Sequence, residues 1–86
     1  MKLIKISSVW CPSCIIMQSR YQEIANEYNL EIEEFDYDMD TEIVEKYQIG
    51  DILPVVIVVK DDKEINRIIG EKSKKELVKI IEDLGE

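Results

Sequence analysis

Both cysteines of this chain stand in one short motif, Trp10-Cys11-Pro12-Ser13-Cys14. An apolar stretch precedes the motif, and a stretch with apolar residues at three- and four-residue intervals follows it, so the thiols are expected where a strand gives way to a helix. A disulfide between cysteines this close would constrain the unfolded chain very little, and small disulfide-stabilised domains usually carry several cysteine pairs at wider spacing. The pair is therefore predicted to be chemically reactive rather than a structural crosslink.

The size and composition of the chain indicate one folded domain spanning residues 1–86. Its 86 residues leave no room for a second domain, and 45% hydrophobic with 35% charged residues is typical of a globular protein. A net charge of −8 disfavours nucleic acid, whose binding requires clustered lysine and arginine. The N-terminus lacks the apolar core of a signal peptide and no apolar run is long enough to span a bilayer, so we expect a cytoplasmic protein that does not bind membranes.

Hydrophobic periodicity predicts the element order β-α-β-α-β-β-α. The predicted strands cover residues 2–9 (β1), 30–37 (β2), 55–59 (β3) and 64–69 (β4), and the predicted helices begin at Pro12 (α1), span residues 41–47 (α2) and follow Ser73 (α3). Pro12 suits the first position of a helix, and Ser73 with Glu76 forms a capping-box pattern. We therefore expect an α/β fold with a four-stranded mixed sheet in the order β2-β1-β3-β4 and helices on both faces.

Two predicted elements are less regular than the others. The apolar pattern of β2 changes phase at Glu33-Glu34, which predicts an irregularity or an exposed edge strand. Helix α2 is expected to be capped by Asp38 or Asp40 and to end just before Gly50.

The motif, the Leu53-Pro54 pair ahead of β3 and Gly70 ahead of α3 together make the chain resemble the thioredoxin family over essentially its whole length. The resemblance implies the thioredoxin fold, in a short form close in size to glutaredoxins, and a thiol-disulfide oxidoreductase that reduces protein disulfides. It implies no cofactor beyond a reversible Cys11–Cys14 disulfide, and a flavin-type reductase or glutathione as the electron donor. A monomer is expected.

The resemblance also implies which residues surround the sulfurs. It implies that the Leu53–Pro54 peptide bond is cis and that Pro54 lies against the cysteines. The implied substrate-binding residues are Trp10, Pro12, Ser13, Leu53, Ile69 and Gly70, with a substrate chain pairing with the backbone of Leu53. Trp10 has a second reading, as an aromatic anchor packed into the protein.

The position of Cys11 before Pro12, at the start of α1, makes it the candidate nucleophile. Free backbone N–H groups and the positive end of the helix dipole favour a thiolate there. Cys14, one helical turn later, is predicted to be more buried and to act as the resolving cysteine, which displaces the product and closes the Cys11–Cys14 disulfide.

The sequence departs from the thioredoxin pattern at three places. Thioredoxins hold a buried aspartate six residues before the first cysteine, where this chain has Lys5. An inward ammonium would make Lys5 a modulator of a thiol pKa, whereas a lysine that snorkels to solvent would have no role. In addition, Ile15 replaces a commonly basic residue, and the loop from Tyr47 to Pro54 carries one extra residue; both bear on the choice of partner.

Three alternatives stay open at this point. A glutaredoxin would bind glutathione through a lysine where this chain has Ser8 and through polar residues after a Gly-Gly, whereas here Gly70 is followed by acidic Glu71, which disfavours glutathione. A single Cys-x-x-Cys without histidine offers half of a tetrahedral site, so zinc or an iron–sulfur cluster would require a dimer, and no metal is expected. The third alternative is a thioredoxin-fold adaptor with an idle dithiol. The motif leaves the reduction potential open.

Overall fold

Residues 1–85, which the computed structural model describes, form four strands and three helices in the predicted order. The bounds are β1 Lys2–Ser7, α1 Pro12–Tyr28, β2 Glu31–Asp36, α2 Thr41–Lys46, β3 Val55–Lys60, β4 Lys63–Ile69 and α3 Lys74–Gly85. Among these residues, none of the helices is long and apolar enough to cross a membrane.

The sheet has the strand order β2-β1-β3-β4, which confirms the predicted topology. β1 pairs in parallel with β2 and antiparallel with β3, and β4 pairs antiparallel with β3. The long crossover through α1 permits the parallel pair, and a tight turn in which Asp61 and Asp62 have φ of 54° and 64° closes the β3–β4 hairpin. Because β1 is an inner strand, its carboxyl end delivers the cysteine motif to the middle of one edge of the molecule.

The two faces of the sheet are buried in separate apolar clusters. The cluster beneath α1 and α3 contains Leu3, Met17, Tyr21, Ile24, Val56, Val58, Ile68, Leu77 and Ile81. The cluster on the face covered by α2 contains Ile4, Ile6, Cys11, Cys14, Ile49, Leu53, Val55 and Ile57. β3 contributes to both clusters, as its continuous apolar sequence predicts. Both cysteines are therefore anchored in a core, while the backbone around them reaches the surface.

Local hydrogen bonds explain where the helices begin and end. The hydroxyl of Ser73 accepts the backbone N–H of Glu76 at 3.2 Å, which confirms the N-cap half of the predicted capping box; the Glu76 carboxylate accepts the Ser73 hydroxyl at 3.3 Å. Helix α1 begins at Pro12 as predicted and ends at Tyr28, and it is capped by Asn29, whose left-handed φ of 54° allows its N–H to reach the Ala25 carbonyl.

The ends of β1 and α2 differ in detail from the prediction. β1 ends at Ser7 rather than residue 9, because Ser8 starts a turn in which its carbonyl accepts the Cys11 N–H at 3.3 Å. The left-handed residue after α2 is Gln48, with φ of 52°, rather than Gly50. Asp40 occupies the N-cap position of α2, but its carboxylate accepts the N–H of Asp36 at 2.7 Å.

The phase change in β2 reflects a side chain and not a break in the strand. β2 is an edge strand, as predicted, and its register with β1 runs without interruption from Lys2↔Glu31 to Ser7↔Asp36. The disturbed pattern arises because Glu34 lies on the face where an apolar residue would be expected.

Candidate active site

Cys11 lies at the N-cap of α1, with its sulfur beside the first turn of the helix. Its backbone is extended, at φ −96° and ψ 112°, and Pro12 follows as the first helical residue. The backbone N–H of Cys14 donates to Cys11 Sγ at 3.3 Å. Since Pro12 has no N–H of its own, the sulfur takes the place of a capping oxygen at the positive end of the helix dipole. A thiolate at this position is stabilised by both the hydrogen bond and the dipole.

Cys14 lies one turn further along α1, in surroundings that keep its thiol protonated. The pKa of the Cys14 thiol is raised to about 11, chiefly because burial disfavours the thiolate and secondly because of its hydrogen bond with Cys11. The backbone of Ser8 and the positive charge of Lys5 act in the opposite direction. The two cysteines are almost equally buried, since Cys11 is 6% exposed and Cys14 is 5% exposed. The predicted difference in burial is therefore small.

The loop before β3 forms a second wall around the sulfurs. The Leu53–Pro54 peptide bond is cis, and Pro54 is fully buried. The thiol of Cys11 donates to the Leu53 carbonyl at a sulfur–oxygen distance of 3.7 Å. The Gly70 N–H donates to the Pro54 carbonyl at 2.9 Å, so the segment after β4 is tied to the same loop. Gly70 has a φ of 81°, which an L side chain rarely adopts.

Trp10 lies on the surface beside the cysteines and is held there by residues that follow β2. The side chain is 58% exposed, and its Nε1–H donates to the Asp38 carboxylate at 2.7 Å. Its ring stands edge-on to the ring of Tyr37, with 6.3 Å between the centroids. The exposure is that expected of a groove wall, and the hydrogen bond fixes the orientation of the indole.

The remaining residues that the resemblance implies as substrate-binding differ in which groups they can offer to a substrate. Pro12 and Ile69 are exposed and Ser13 is half-buried, whereas Leu53 and Gly70 are buried and can offer a partner chiefly backbone groups. Sequence reasoning missed Ile52, which is 63% exposed. Its Cγ2 atom lies 3.4 Å from the position that a Cβ atom on residue 70 would occupy.

Lys5 is buried under α1 and paired across the sheet with Glu34. It is 4% exposed, so the reading in which it snorkels to solvent is wrong. Its Nζ lies 2.8 Å from Glu34 Oε1, and the two residues are direct partners in the parallel β1–β2 register. Lys5, Glu34 and Cys14 line one open cleft of about 520 Å³. The Lys5 side chain is therefore turned inward, and it shares this cleft with Cys14.

The two cysteines are free thiols in this structure. Residues 1–85 contain no cluster of three or more His, Cys, Asp or Glu side chains suited to a metal ion. What the arrangement offers is a dithiol at the start of a helix, with the Cys11 sulfur at the N-cap and the buried Cys14 thiol one turn later.

Comparison with known proteins identifies the family. The family model described as Thioredoxin matches residues 1–83. The chain belongs to the thioredoxin family. It is 30% identical to the thioredoxin of Mycobacterium tuberculosis H37Rv, over 95% of this chain and 72% of the relative, and 32% identical to that of Chlamydia trachomatis, over 92% and 78%.

Solved structures agree with the family assignment. Thioredoxin 1 from Thermosipho africanus is 25% identical to this chain and superposes with a TM-score of 0.87, covering 98% of this chain and 93% of that structure. The protein is thus a thiol-disulfide oxidoreductase of the protein-disulfide reductase type. Thioredoxins act without a cofactor on disulfides of other proteins and are themselves regenerated by a reductase.

Within this thioredoxin-family site, the other residues that sequence reasoning missed hold neighbouring side chains in place. Asp38 and Tyr37 orient Trp10, and Glu34 pairs with Lys5. The acidic residues of the segment after β2 resemble an ordinary solvated surface. Only the phase change in β2 signalled Glu34, since it marks a charge at an apolar position.

Proposed function

We propose that this protein reduces disulfides in other proteins with Cys11 as the nucleophile and Cys14 as the resolving cysteine. The observation that carries the proposal is the 3.3 Å hydrogen bond from the Cys14 N–H to Cys11 Sγ at the first turn of α1. This bond and the helix dipole stabilise negative charge on Cys11 alone. Cys14 itself starts as a thiol, because burial raises its pKa to about 11, well above neutral pH.

The reaction proceeds by two thiol-disulfide exchanges. The Cys11 thiolate attacks one sulfur of the partner's disulfide, an S–S bond to Cys11 forms, and the other partner sulfur leaves as a thiolate that takes a proton from water. Cys14 then loses its proton and attacks Cys11 Sγ, so that the Cys11–Cys14 disulfide forms and the second partner sulfur leaves. The partner gains two electrons in total, and a donor must return two electrons to the protein.

We propose that the partner's chain lies across the groove formed by Trp10, Pro12, Ser13, Leu53, Ile69 and Gly70. The Leu53 carbonyl supports this placement, because it accepts the Cys11 thiol at 3.7 Å and becomes free to accept a partner's N–H once Cys11 is in a disulfide. Pro54, which follows Leu53, would then lie against the sulfurs, as the family resemblance implies. Exposed Ile52 extends the apolar part of this groove.

We further propose a flavin-type reductase in the cytoplasm as the electron donor, in preference to glutathione. Glu71 is exposed next to Gly70 and would repel the carboxylates of glutathione. Lys5, the lysine that lines the cleft beside Cys14, is already paired with Glu34. Ser8 is buried, and its hydroxyl accepts the Trp10 N–H at 3.3 Å, so it belongs to the turn and not to a ligand site.

Insulin reduction with three variants tests the assignment of the cysteines. Cys11→Ser should abolish turnover and form no mixed disulfide. Cys14→Ser should also abolish turnover but accumulate a mixed disulfide through Cys11, visible by mass spectrometry. Ser19→Ala, an exposed change on α1, is the matched control and should leave turnover unchanged. Accumulation of the mixed disulfide in Cys11→Ser instead would reverse the two roles.

The donor is tested by supplying the oxidised protein with either of two systems. NADPH with a flavin thioredoxin reductase should regenerate the dithiol, and glutathione with glutathione reductase should do so much more slowly. Faster regeneration by glutathione would show that the repulsion argued from Glu71 does not govern the choice.

A further inference from the structure

Two opposite charges lie side by side on a face of the sheet that is otherwise apolar. Lys5 and Glu34 are register partners on β1 and β2, and their side chains meet at 2.8 Å. The same face carries Leu3 and Val56, both buried in the cluster beneath α1 and α3. Burying an ammonium that is 4% exposed on such a face costs more free energy than an ion pair with a 59% exposed carboxylate returns, which indicates that the position of Lys5 serves the site.

The pair opens onto the cleft that also contains Cys14. From α1 the cleft receives Cys14 and the uncharged Gln18, and from β2 and the segment after it the carboxylates of Glu34, Asp36 and Asp40. On the other side of Lys5, its register partner on β3 is the apolar Val56.

Asp36 and Asp40 are engaged elsewhere. Asp36 accepts the backbone N–H groups of Asp38 and Met39, and Asp40 accepts that of Asp36. Glu34 is therefore the carboxylate that offsets the charge of Lys5 by direct contact.

Lys5 and Glu34 act on Cys14 in opposite senses. The positive charge of Lys5 lowers the pKa of the Cys14 thiol, against the stronger effects of burial and of Cys11. A carboxylate 2.8 Å from the ammonium cancels part of its field at the more distant sulfur. Glu34 is 59% exposed, so the screening of its charge by water is intermediate between that at an open surface and that in a protein core.

We propose that Glu34 is a positioning residue for the resolving step, which holds the Lys5 ammonium in the cleft and limits how strongly it promotes ionisation of Cys14. The proposal rests on the assignment of Cys14 as the resolving cysteine. The affected step is the second exchange: Cys14 releases its proton to water in the open cleft, its thiolate bonds to Cys11 Sγ, and the S–S bond from Cys11 to the partner breaks. Neutralising Glu34 should therefore make this step faster, and removing the charge of Lys5 should make it slower.

Stopped-flow reaction of the reduced protein with Ellman's reagent separates the two exchanges. Attack by Cys11 releases one coloured thiolate, and the later attack by Cys14 releases the second. Cys14→Ser should lack the second phase, which identifies it. The rate of the second phase, measured from pH 6 to 10, reports the ionisation of Cys14 in the mixed disulfide.

Glu34→Gln is the decisive variant, because the amide oxygen can still accept from Lys5 while the negative charge is gone. We expect its second phase to be about threefold faster at pH 7 and its pH profile to move to lower pH. Lys5→Met should shift the profile to higher pH, and in the double variant the Glu34→Gln change should have no further effect. A purely structural role for Glu34 would change amplitude or stability without moving the profile in this direction.

Glu33→Gln is the matched control. Glu33 precedes Glu34 on the same strand, points to the opposite face and pairs with Lys2 at 2.7 Å, and its removal changes the net charge equally. Equal acceleration in Glu33→Gln, or an unchanged or slower second phase in Glu34→Gln, would overturn the inference. A wild-type protein without a second phase, or a second phase that persists in Cys14→Ser, would instead overturn the proposed assignment of the cysteines.

Discussion

Replacing Lys5 with methionine is expected to stabilise the fold although it weakens the chemistry. The ion pair with Glu34 contributes little, because a carboxylate that is 59% exposed is well solvated, and such pairs are worth about 0–1 kcal/mol. Burying the Lys5 ammonium, in contrast, destabilises the fold. The cost of burying such a charge is several kcal/mol in a closed interior and is smaller beside an open cleft. Methionine has a similar length and fits the apolar face beneath α1. We expect a net gain of about 1–2 kcal/mol in the free energy of unfolding.

Urea denaturation and thermal unfolding measure this gain. For a domain of this size each kcal/mol corresponds to about 4–8 °C in Tm, so a clear upward shift is expected. Lys2→Met is the control, because Lys2 lies on the same strand and also pairs with a glutamate, but remains partly exposed, and its replacement should leave Tm nearly unchanged. A Lys5→Met protein that is less stable than the wild type would show that the pair stabilises the fold, and the argument that its position serves the site would fail.

Three further predictions concern single contacts. Tyr21→Phe should be neutral or stabilising by up to about 1 kcal/mol in urea denaturation, because the buried Tyr21 hydroxyl has no hydrogen-bond partner among the described residues; a clear loss would reveal a partner for it. Gly70→Ala should cost about 1 kcal/mol in the same measurement, because of the φ of 81° and the nearby Ile52, and unchanged stability would contradict the strain. Asp38→Ala should free the indole of Trp10, the single tryptophan, lowering its fluorescence anisotropy and raising the KM for insulin, whereas unchanged anisotropy would mean that Tyr37 holds the ring by itself.

The fold and the dithiol were predictable from the sequence because their signals are local. The continuous apolar run of β3, the Ser73 capping box and Pro12 at a helix start each act within a few residues. The surroundings of the dithiol depend on pairs far apart in the chain. Lys5 meets Glu34 only because the β1–β2 register places them opposite each other, and no periodicity specifies a register.

The same limit applies to the orientation of Trp10 and to the end of α2. Asp38 is 28 positions away from the indole that it holds, in a segment whose acidic composition resembles ordinary surface. Glycine adopts the left-handed conformation most readily, so Gly50 is the expected residue, yet Gln48 adopts it. There, the Ile49 N–H bonds to the Val44 carbonyl and Ile49 is buried, so packing overrides the preference of the backbone.

The Lys5–Glu34 pair bears on the speed of disulfide closure more than on the direction of electron flow. A dithiol becomes a stronger oxidant when its reduced form is stabilised, by about 30 mV for each 1.4 kcal/mol. In the reduced protein at neutral pH, Cys14 keeps its proton because its pKa is about 11, so Lys5 has no Cys14 thiolate to stabilise in that state. The Cys14 thiolate forms only on the way to the internal disulfide, where the ammonium lowers the barrier. A cation at this position therefore speeds resolution without stabilising the reduced form through Cys14.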